Sequence, residues 1–149
     1  MSQNRTLYAV LAFTGACLIT NGLVFGLGFD SASAATTPRL APPGWVIGLV
    51  WVGLFAIMGV IYARVARPGS ALRWLLIALA AFSLAYPFYT EGLSNLQTAF
   101  IGNIVTLAVT LAIAWRLSRE DRTAGALLLP MSAWLTFATY LTADGLALV

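Results

Sequence analysis

Apolar residues fall into five long runs that are separated by short polar connections. A helix needs about 20 mostly apolar residues to cross the hydrocarbon core of a bilayer. The runs that meet this requirement are 7–29, 45–65, 72–89, 96–117 and 124–146. They predict an all-α integral membrane protein, a five-transmembrane-helix bundle, with residues 1–149 forming one domain.

The composition supports this interpretation. Hydrophobic residues make up 60% of the chain and charged residues only 9%, whereas soluble domains have about 45–50% and about 25%. A soluble fold of this size has too little interior for so much apolar surface. The lipid bilayer is therefore the first partner that the sequence predicts.

The charges predict an orientation. All eight cationic residues are arginines. In the five-span arrangement one side holds Arg5, Arg64, Arg67, Arg73, Arg116, Arg119 and Arg122, and the other holds Arg39 with Asp30, Glu91 and Asp144. The positive-inside rule then places the N-terminus on the inner, Arg-rich side of a multi-pass protein. The arginines stand singly at the ends of the runs, which does not favour a nucleic-acid partner.

Several kinds of chemistry are excluded by what the chain lacks. It has no histidine and one cysteine, Cys17, so a zinc site of the Cys/His type, a histidine acid–base pair and a His-ligated haem are not expected. No acidic or basic residue lies in the middle of any apolar run, which disfavours proton-coupled transport. We therefore expect no catalytic residue, no metal and no required cofactor.

Two tryptophans lie too deep to be interfacial anchors. Trp51 is six residues into the second run, about 9 Å below its outer end, and Trp134 is about ten residues into the fifth. A deeply placed indole N–H needs a partner. Trp45, Trp74 and Trp115 stand at the ends of runs, as interfacial anchors do.

The neighbours of the deep tryptophans predict a cavity. Phe55 follows Trp51 on the same helical face, and Ala138 leaves space one turn beyond Trp134. The third run adds a further aromatic stripe of Phe82, Tyr86 and Tyr89. In the outer half of the membrane the fourth run contributes Asn103, with Asn21 at a similar depth in the first. An aromatic cavity with a few amides suits a flat, largely apolar ligand. The alternative, that these stripes only pack helices together, remains equally open.

Glycine pairs and the longest connection add two further expectations. Gly22 with Gly26, and Gly44 with Gly48, form GxxxG patterns that allow close helix approach within the bundle or in a homodimer. The connection 30–44 ends in Pro42 and Pro43, which stiffen it. Either a lid over the cavity or an ordinary loop fits this segment.

Two motifs, in the second and fifth apolar runs, resemble those of a known family. Residues 42–48 read PPGWVIG and are followed by Val50-Trp51 and Met58-Gly59; residues 126–130 read ALLLP and are followed by Ala133-Trp134 and by FATYL at 137–141. They resemble the second- and fifth-helix signatures of the tryptophan-rich sensory protein family, TspO/MBR, which includes the translocator proteins or peripheral-type benzodiazepine receptors.

The resemblance implies a five-helix bundle, usually a homodimer, with a ligand pocket beneath the first connection. Members bind porphyrins such as protoporphyrin IX, and many bind cholesterol and benzodiazepine- or isoquinoline-type drugs. The implied ligand-binding residues are Trp51, Phe55, Trp134 and Ala138, with Tyr86, Phe88, Asn103, Trp45, Pro42 and Pro43 around them. The implied function is a membrane receptor or sensor in tetrapyrrole or stress responses, and the implied location is a bacterial cell membrane or outer membrane. Light-dependent porphyrin degradation, an enzymatic activity, and porphyrin or sterol transport are the alternatives.

Overall fold

The computed structural model describes residues 3–28, 40–67, 70–90 and 95–148. These residues form six helices: α1 (Gln3–Gly26), α2 (Gly44–Val65), α3 (Ala71–Thr90), α4 (Leu96–Ser118), α5 (Arg122–Ala126) and α6 (Leu129–Gly145). Helices α1 to α4 and the combined α5–α6 segment are each long and apolar enough to cross a membrane. The predicted all-α membrane architecture with five spans is thereby confirmed.

The fifth span is broken near its start by Pro130. Proline has no N–H to donate to the carbonyl of Ala126, and its ring disfavours helical geometry in the preceding residue. Helix α5 ends at Ala126, and α6 begins with proline in its first turn, which is the position that proline tolerates best. The sequence predicted one uninterrupted fifth span, and the structure divides it into a short helix and a long one.

The helices differ in how closely they pack on one another. Helix α1 packs closely on α2, and α4 packs on both α3 and α6. Helices α2 and α6 are not among the closely packed pairs of the described chain, whereas α3 contacts both α1 and α2, and α5 contacts α2 at the Arg-rich end. Close backbone contact between α2 and α6 is therefore sparse within the described residues.

The hydrophobic core occupies the Arg-rich half of the bundle. Its buried members include Met58 and Ile61 of α2, Leu76 of α3, Leu117 of α4 and Leu135 of α6. Within α2 the buried residues begin at Leu54, so the first ten residues of this helix, 44–53, contribute none. The outer half of the bundle is consequently less tightly packed along α2 than the half beneath it.

An ion pair fastens the Arg-rich end. The guanidinium of Arg64, near the end of α2, donates from Nε to Oδ2 of Asp121 at 3.0 Å and from a terminal nitrogen to Oδ1 at 3.2 Å. Asp121 also caps α5, because Oδ1 accepts the N–H of Ala124 at 3.0 Å. The Ala124 N–H and then the Arg64 guanidinium hold the pKa of the Asp121 carboxyl below its ordinary value of 3.8. The second and fourth connections therefore lie at one end of the bundle.

The lowered pKa gives a pH prediction for Asp121→Asn. A carboxyl with a depressed folded-state pKa adds stability above its ordinary value of 3.8 and loses that stability as the pH falls through the folded-state value. Asparagine caps a helix as well as aspartate does, so the substitution removes mainly the charge. We expect the variant to lose at most about 1 kcal/mol near neutral pH and to match the parent in acid, as measured by thermal unfolding in detergent.

Glu120→Gln is the matched control, because its carboxylate is 3.4 Å from Arg116 in an exposed pair. This variant should unfold like the parent at both pH values. Equal losses of stability for Asp121→Asn and Glu120→Gln would show that the Asp121 carboxylate contributes no more than an exposed ion pair does.

Candidate functional site

Trp51 and Phe55 form the α2 side of the candidate site. Their ring centroids are 6.2 Å apart and the rings are tilted by 57°. Phe55 is only 1% exposed and belongs to the core, whereas Trp51, one turn farther out, is partly buried and packs on that core. Trp51 therefore lies at the boundary between the inner part of α2, which contributes buried residues, and the outer part, which contributes none.

Trp134 and Ala138 form the α6 side. Trp134 is partly buried, packs on the same core as Trp51, and has its ring centroid 5.7 Å from that of Phe137. Ala138, one turn toward the outer end, is also partly buried. The two deep tryptophans thus border one core from two helices whose backbones are not closely packed against each other.

Asn103 supplies a polar group inside the outer half. Its side chain is 2% exposed, and Nδ2 has no hydrogen-bond partner within the part of the chain that the structure describes. The next hydroxyls along α4 differ, because Thr106 donates to the carbonyl of Gly102 at 2.6 Å and Thr110 to that of Thr106 at 2.7 Å. An unpaired buried donor costs free energy, and a ligand with an acceptor atom would relieve that cost.

Tyr86 lies beside this part of α4. A Cβ on Gly102 would be 3.5 Å from Cε2 of Tyr86 and 3.2 Å from the ring of Tyr89. Glycine at this position therefore lets two aromatic rings of α3 lie against the backbone of α4. The sequence places Tyr89 in the aromatic stripe of the third run but not among the expected ligand-binding residues.

The remaining candidates lie nearer the surface. Trp45 is 67% exposed at the outer end of α2, and Phe88 is 38% exposed on α3. Pro43 is exposed and Pro42 half-buried directly before α2. The rest of the expected lid, residues 30–39, lies outside the described residues. The structure thus places Trp51, Phe55 and Trp134 on one core and leaves Trp45 and Phe88 at the periphery.

The expected anchors behave differently from the deep tryptophans. Trp74 and Trp115 are 61% and 62% exposed. Arg73 lies over the first ring at 5.1 Å and Arg119 over the second at 4.8 Å. A guanidinium over an indole at the Arg-rich end is an arrangement typical of a membrane–water interface.

Asn21 does not join the site. Its Nδ2 donates to the carbonyl of Gly48 at 3.2 Å, which ties α1 to α2 near their outer ends.

Two grooves lie elsewhere in the bundle, one of about 510 Å³ between α1 and α2 and one of about 350 Å³ between α3 and α4. Neither of them is lined by Trp51 or Trp134.

Comparison with known proteins now adds to this geometry. The model of the TspO/MBR family matches residues 7–147. The "Tryptophan-rich sensory protein" of Cereibacter sphaeroides is 32% identical over 114 residues, which cover 74% of this chain and 72% of the relative. The "Tryptophan-rich protein TspO" of Bacillus cereus is 23% identical over 146 residues, 95% of each chain.

A mammalian relative extends the match beyond bacteria. The "Translocator protein" of Ovis aries is 29% identical over 133 residues, which cover 78% of this chain and 73% of the relative. The family model covers all five spans and both tryptophan motifs. The chain is therefore a multi-pass integral membrane protein that belongs to the TspO/MBR family.

Proposed function

We propose that this protein is a membrane receptor of the sensor type that binds a flat, largely apolar ligand of the porphyrin class between α2 and α6. The observation that carries the proposal is the position of Trp51 and Trp134. Both indoles are partly buried on one core, and they come from two helices that are not closely packed on each other. A ligand lying between them would have the packed core beneath it.

The chemistry of the surrounding residues supports this ligand class. Aromatic rings favour offset stacking on a flat conjugated ligand, with about 0.5–1.5 kcal/mol for each pair. Phe55 closes the floor and Ala138 leaves room beside Trp134. The Nδ2 group of Asn103, which has no partner among the described residues, would donate to one acceptor atom of the ligand. Sterols and isoquinoline- or benzodiazepine-type molecules share the apolar, acceptor-bearing character that such a site selects.

Orientation and self-association belong to the same proposal. We place the Arg-rich end and the N-terminus on the cytoplasmic side, because short loops rich in arginine are retained there. We also propose a homodimer, as in the family that the motifs resemble. Neither feature changes which residues line the site.

The proposal is tested by titrating protoporphyrin IX into detergent-purified protein and following porphyrin absorbance. The double variant Trp51→Phe, Trp134→Phe should bind about tenfold more weakly, which corresponds to about 1.4 kcal/mol lost over two indole contacts. The matched control is Trp74→Phe, Trp115→Phe, which removes two exposed indoles from the Arg-rich end.

The control should bind like the parent protein. Equal affinity of the two double variants, or no saturable binding by the parent, would remove the proposed site. Because both variants lose the same number of tryptophans, a general effect of tryptophan content would appear in both.

A further inference from the structure

A groove at the Arg-rich end lies outside the site proposed above. It has a volume of about 510 Å³ and is lined by Asn4, Arg5, Tyr8, Ala9 and Ala12 of α1 and by Tyr62 of α2. Asn4 and Arg5 bring an amide and a guanidinium to the first turn of α1, and the rest of the lining is largely apolar apart from the hydroxyls of Tyr8 and Tyr62. This is an amphipathic groove with its charged part toward the membrane surface.

The groove follows from how α1 and α2 cross. The two helices approach each other closely at Gly59, where a Cβ would meet the Cα of Val10 at 2.6 Å. One turn toward the Arg-rich end the side chain of Tyr62 stands between them, with its ring centroid 5.5 Å from that of Phe13. The small side chains of Ala9 and Ala12 leave the space beside Tyr62 unfilled.

Arg5 has no carboxylate partner among the described residues. The two acidic residues described at this end are already engaged, Asp121 with Arg64 and Glu120 with Arg116. The sequence places no other acidic residue on this side. The positive charge at the mouth of the groove is therefore available to an anion from outside the chain.

We propose that this groove binds one anionic phospholipid of the leaflet at the Arg-rich end. The headgroup phosphate pairs with the Arg5 guanidinium, with Asn4 and the Tyr8 hydroxyl in reach as donors. The upper part of one acyl chain lies against Ala9, Ala12 and Tyr62. Basic pockets between transmembrane helices recognise anionic headgroups through this combination of charge and depth.

The test is native mass spectrometry of the whole protein in detergent, with phosphatidylglycerol and phosphatidylcholine added separately. The parent should retain phosphatidylglycerol in preference to phosphatidylcholine. Arg5→Gln should reduce phosphatidylglycerol binding about fivefold, the effect expected from one arginine near an anionic headgroup. Arg67→Gln is the matched control, because it is exposed, lies at the same end and does not line the groove.

A second variant tests the groove and not the charge. Ala12→Phe fills the space beside Tyr62 at an exposed position, keeps every arginine, and should also weaken phosphatidylglycerol binding. Equal losses for Arg5→Gln and Arg67→Gln would show that only the overall positive field attracts the lipid, and an unaffected Ala12→Phe would show that the groove holds no chain. Either result overturns the proposal.

Two other occupants are distinguished in the same experiment. If inorganic phosphate at millimolar concentration displaces phosphatidylglycerol completely, the site binds a free anion and the lipid proposal is wrong. If Arg5→Gln and Ala12→Phe remove a dimer peak and leave lipid binding unchanged, the groove is an interface with a second copy, which also contradicts it.

Discussion

Gly59→Ala is expected to cost about 3 kcal/mol of stability, because the added methyl group would overlap the backbone of α1. The added Cβ would meet the backbone of α1 at three atoms: the Cα of Val10 at 2.6 Å, its N at 2.9 Å and the carbonyl oxygen of Ala9 at 2.9 Å. Backbone atoms cannot rotate away, so α1 must move as a whole. Overpacking costs typically about 1–3 kcal/mol, and a rigid neighbour places this variant at the upper end. Unfolding in a mixed-micelle titration measures the loss.

Gly53→Ala is the matched control on the same helix, where a Cβ would meet no atom within 4 Å. Alanine is favoured over glycine in a helix by about 1 kcal/mol, so this variant should be unchanged or slightly more stable. The two substitutions therefore have opposite expected signs. A Gly59→Ala variant as stable as the parent would mean that α1 and α2 do not meet at Val10.

Asn103→Leu is expected to stabilise the ligand-free protein and to weaken ligand binding. The Nδ2 group is buried without a partner among the described residues, and such a donor costs about 1–3 kcal/mol. Leucine has the same branched arrangement of side-chain heavy atoms, with two somewhat larger methyl groups in place of the amide oxygen and nitrogen, so thermal unfolding should shift upward. Under the proposed function the same change removes the donor for the acceptor atom of the ligand, and protoporphyrin IX should bind more weakly.

Thr110→Val is the control for Asn103→Leu. Thr110 is fully buried on the same helix, but its hydroxyl donates to the carbonyl of Thr106 at 2.7 Å. Replacing a paired hydroxyl should give no gain in stability. A destabilised Asn103→Leu variant would show that the amide has a partner in the resting protein, and the proposed role of Asn103 would then be lost.

The five spans could be predicted from the sequence because length and apolarity alone define a transmembrane helix. The division of the fifth span could also have been anticipated, since Pro130 occurs eight residues after Arg122, the first residue of α5. The pairs of helices that pack together could not be predicted in the same way. Lipid-facing residues are as apolar as core residues in a membrane protein, so the periodicity that marks a buried face in soluble proteins is nearly absent.

The glycines illustrate this limit. The GxxxG patterns allow close helix approach at Gly22, Gly26, Gly44 and Gly48. A Cβ on the first three, however, would meet nothing within 4 Å. Close approach to a neighbouring helix backbone occurs at Gly59 and Gly125, neither of which is part of a GxxxG pattern. A small residue permits close packing but does not say whether a neighbour is present. Contact between helices depends on the tertiary arrangement, which the spacing of glycines alone does not determine.

The candidate site shows a similar division. The depth of Trp51 and Trp134 follows from counting residues along a helix, and both are partly buried in the structure. The concentration of the core in the Arg-rich half was not predictable, since both halves of α2 are equally apolar in sequence. The sequence therefore identified the two indoles, but the packed core beneath them depends on how all the described helices are arranged.

Single-tryptophan variants provide the most direct test of the central claim, that a porphyrin lies between Trp51 and Trp134. Phenylalanine replaces the other four tryptophans, and emission is recorded as protoporphyrin IX is added to saturation. We predict strong quenching when only Trp51 or only Trp134 remains, and clearly weaker quenching when only Trp115 remains at the Arg-rich end. Equal quenching in all three variants, or the strongest quenching at Trp115, would contradict the proposed location of the ligand.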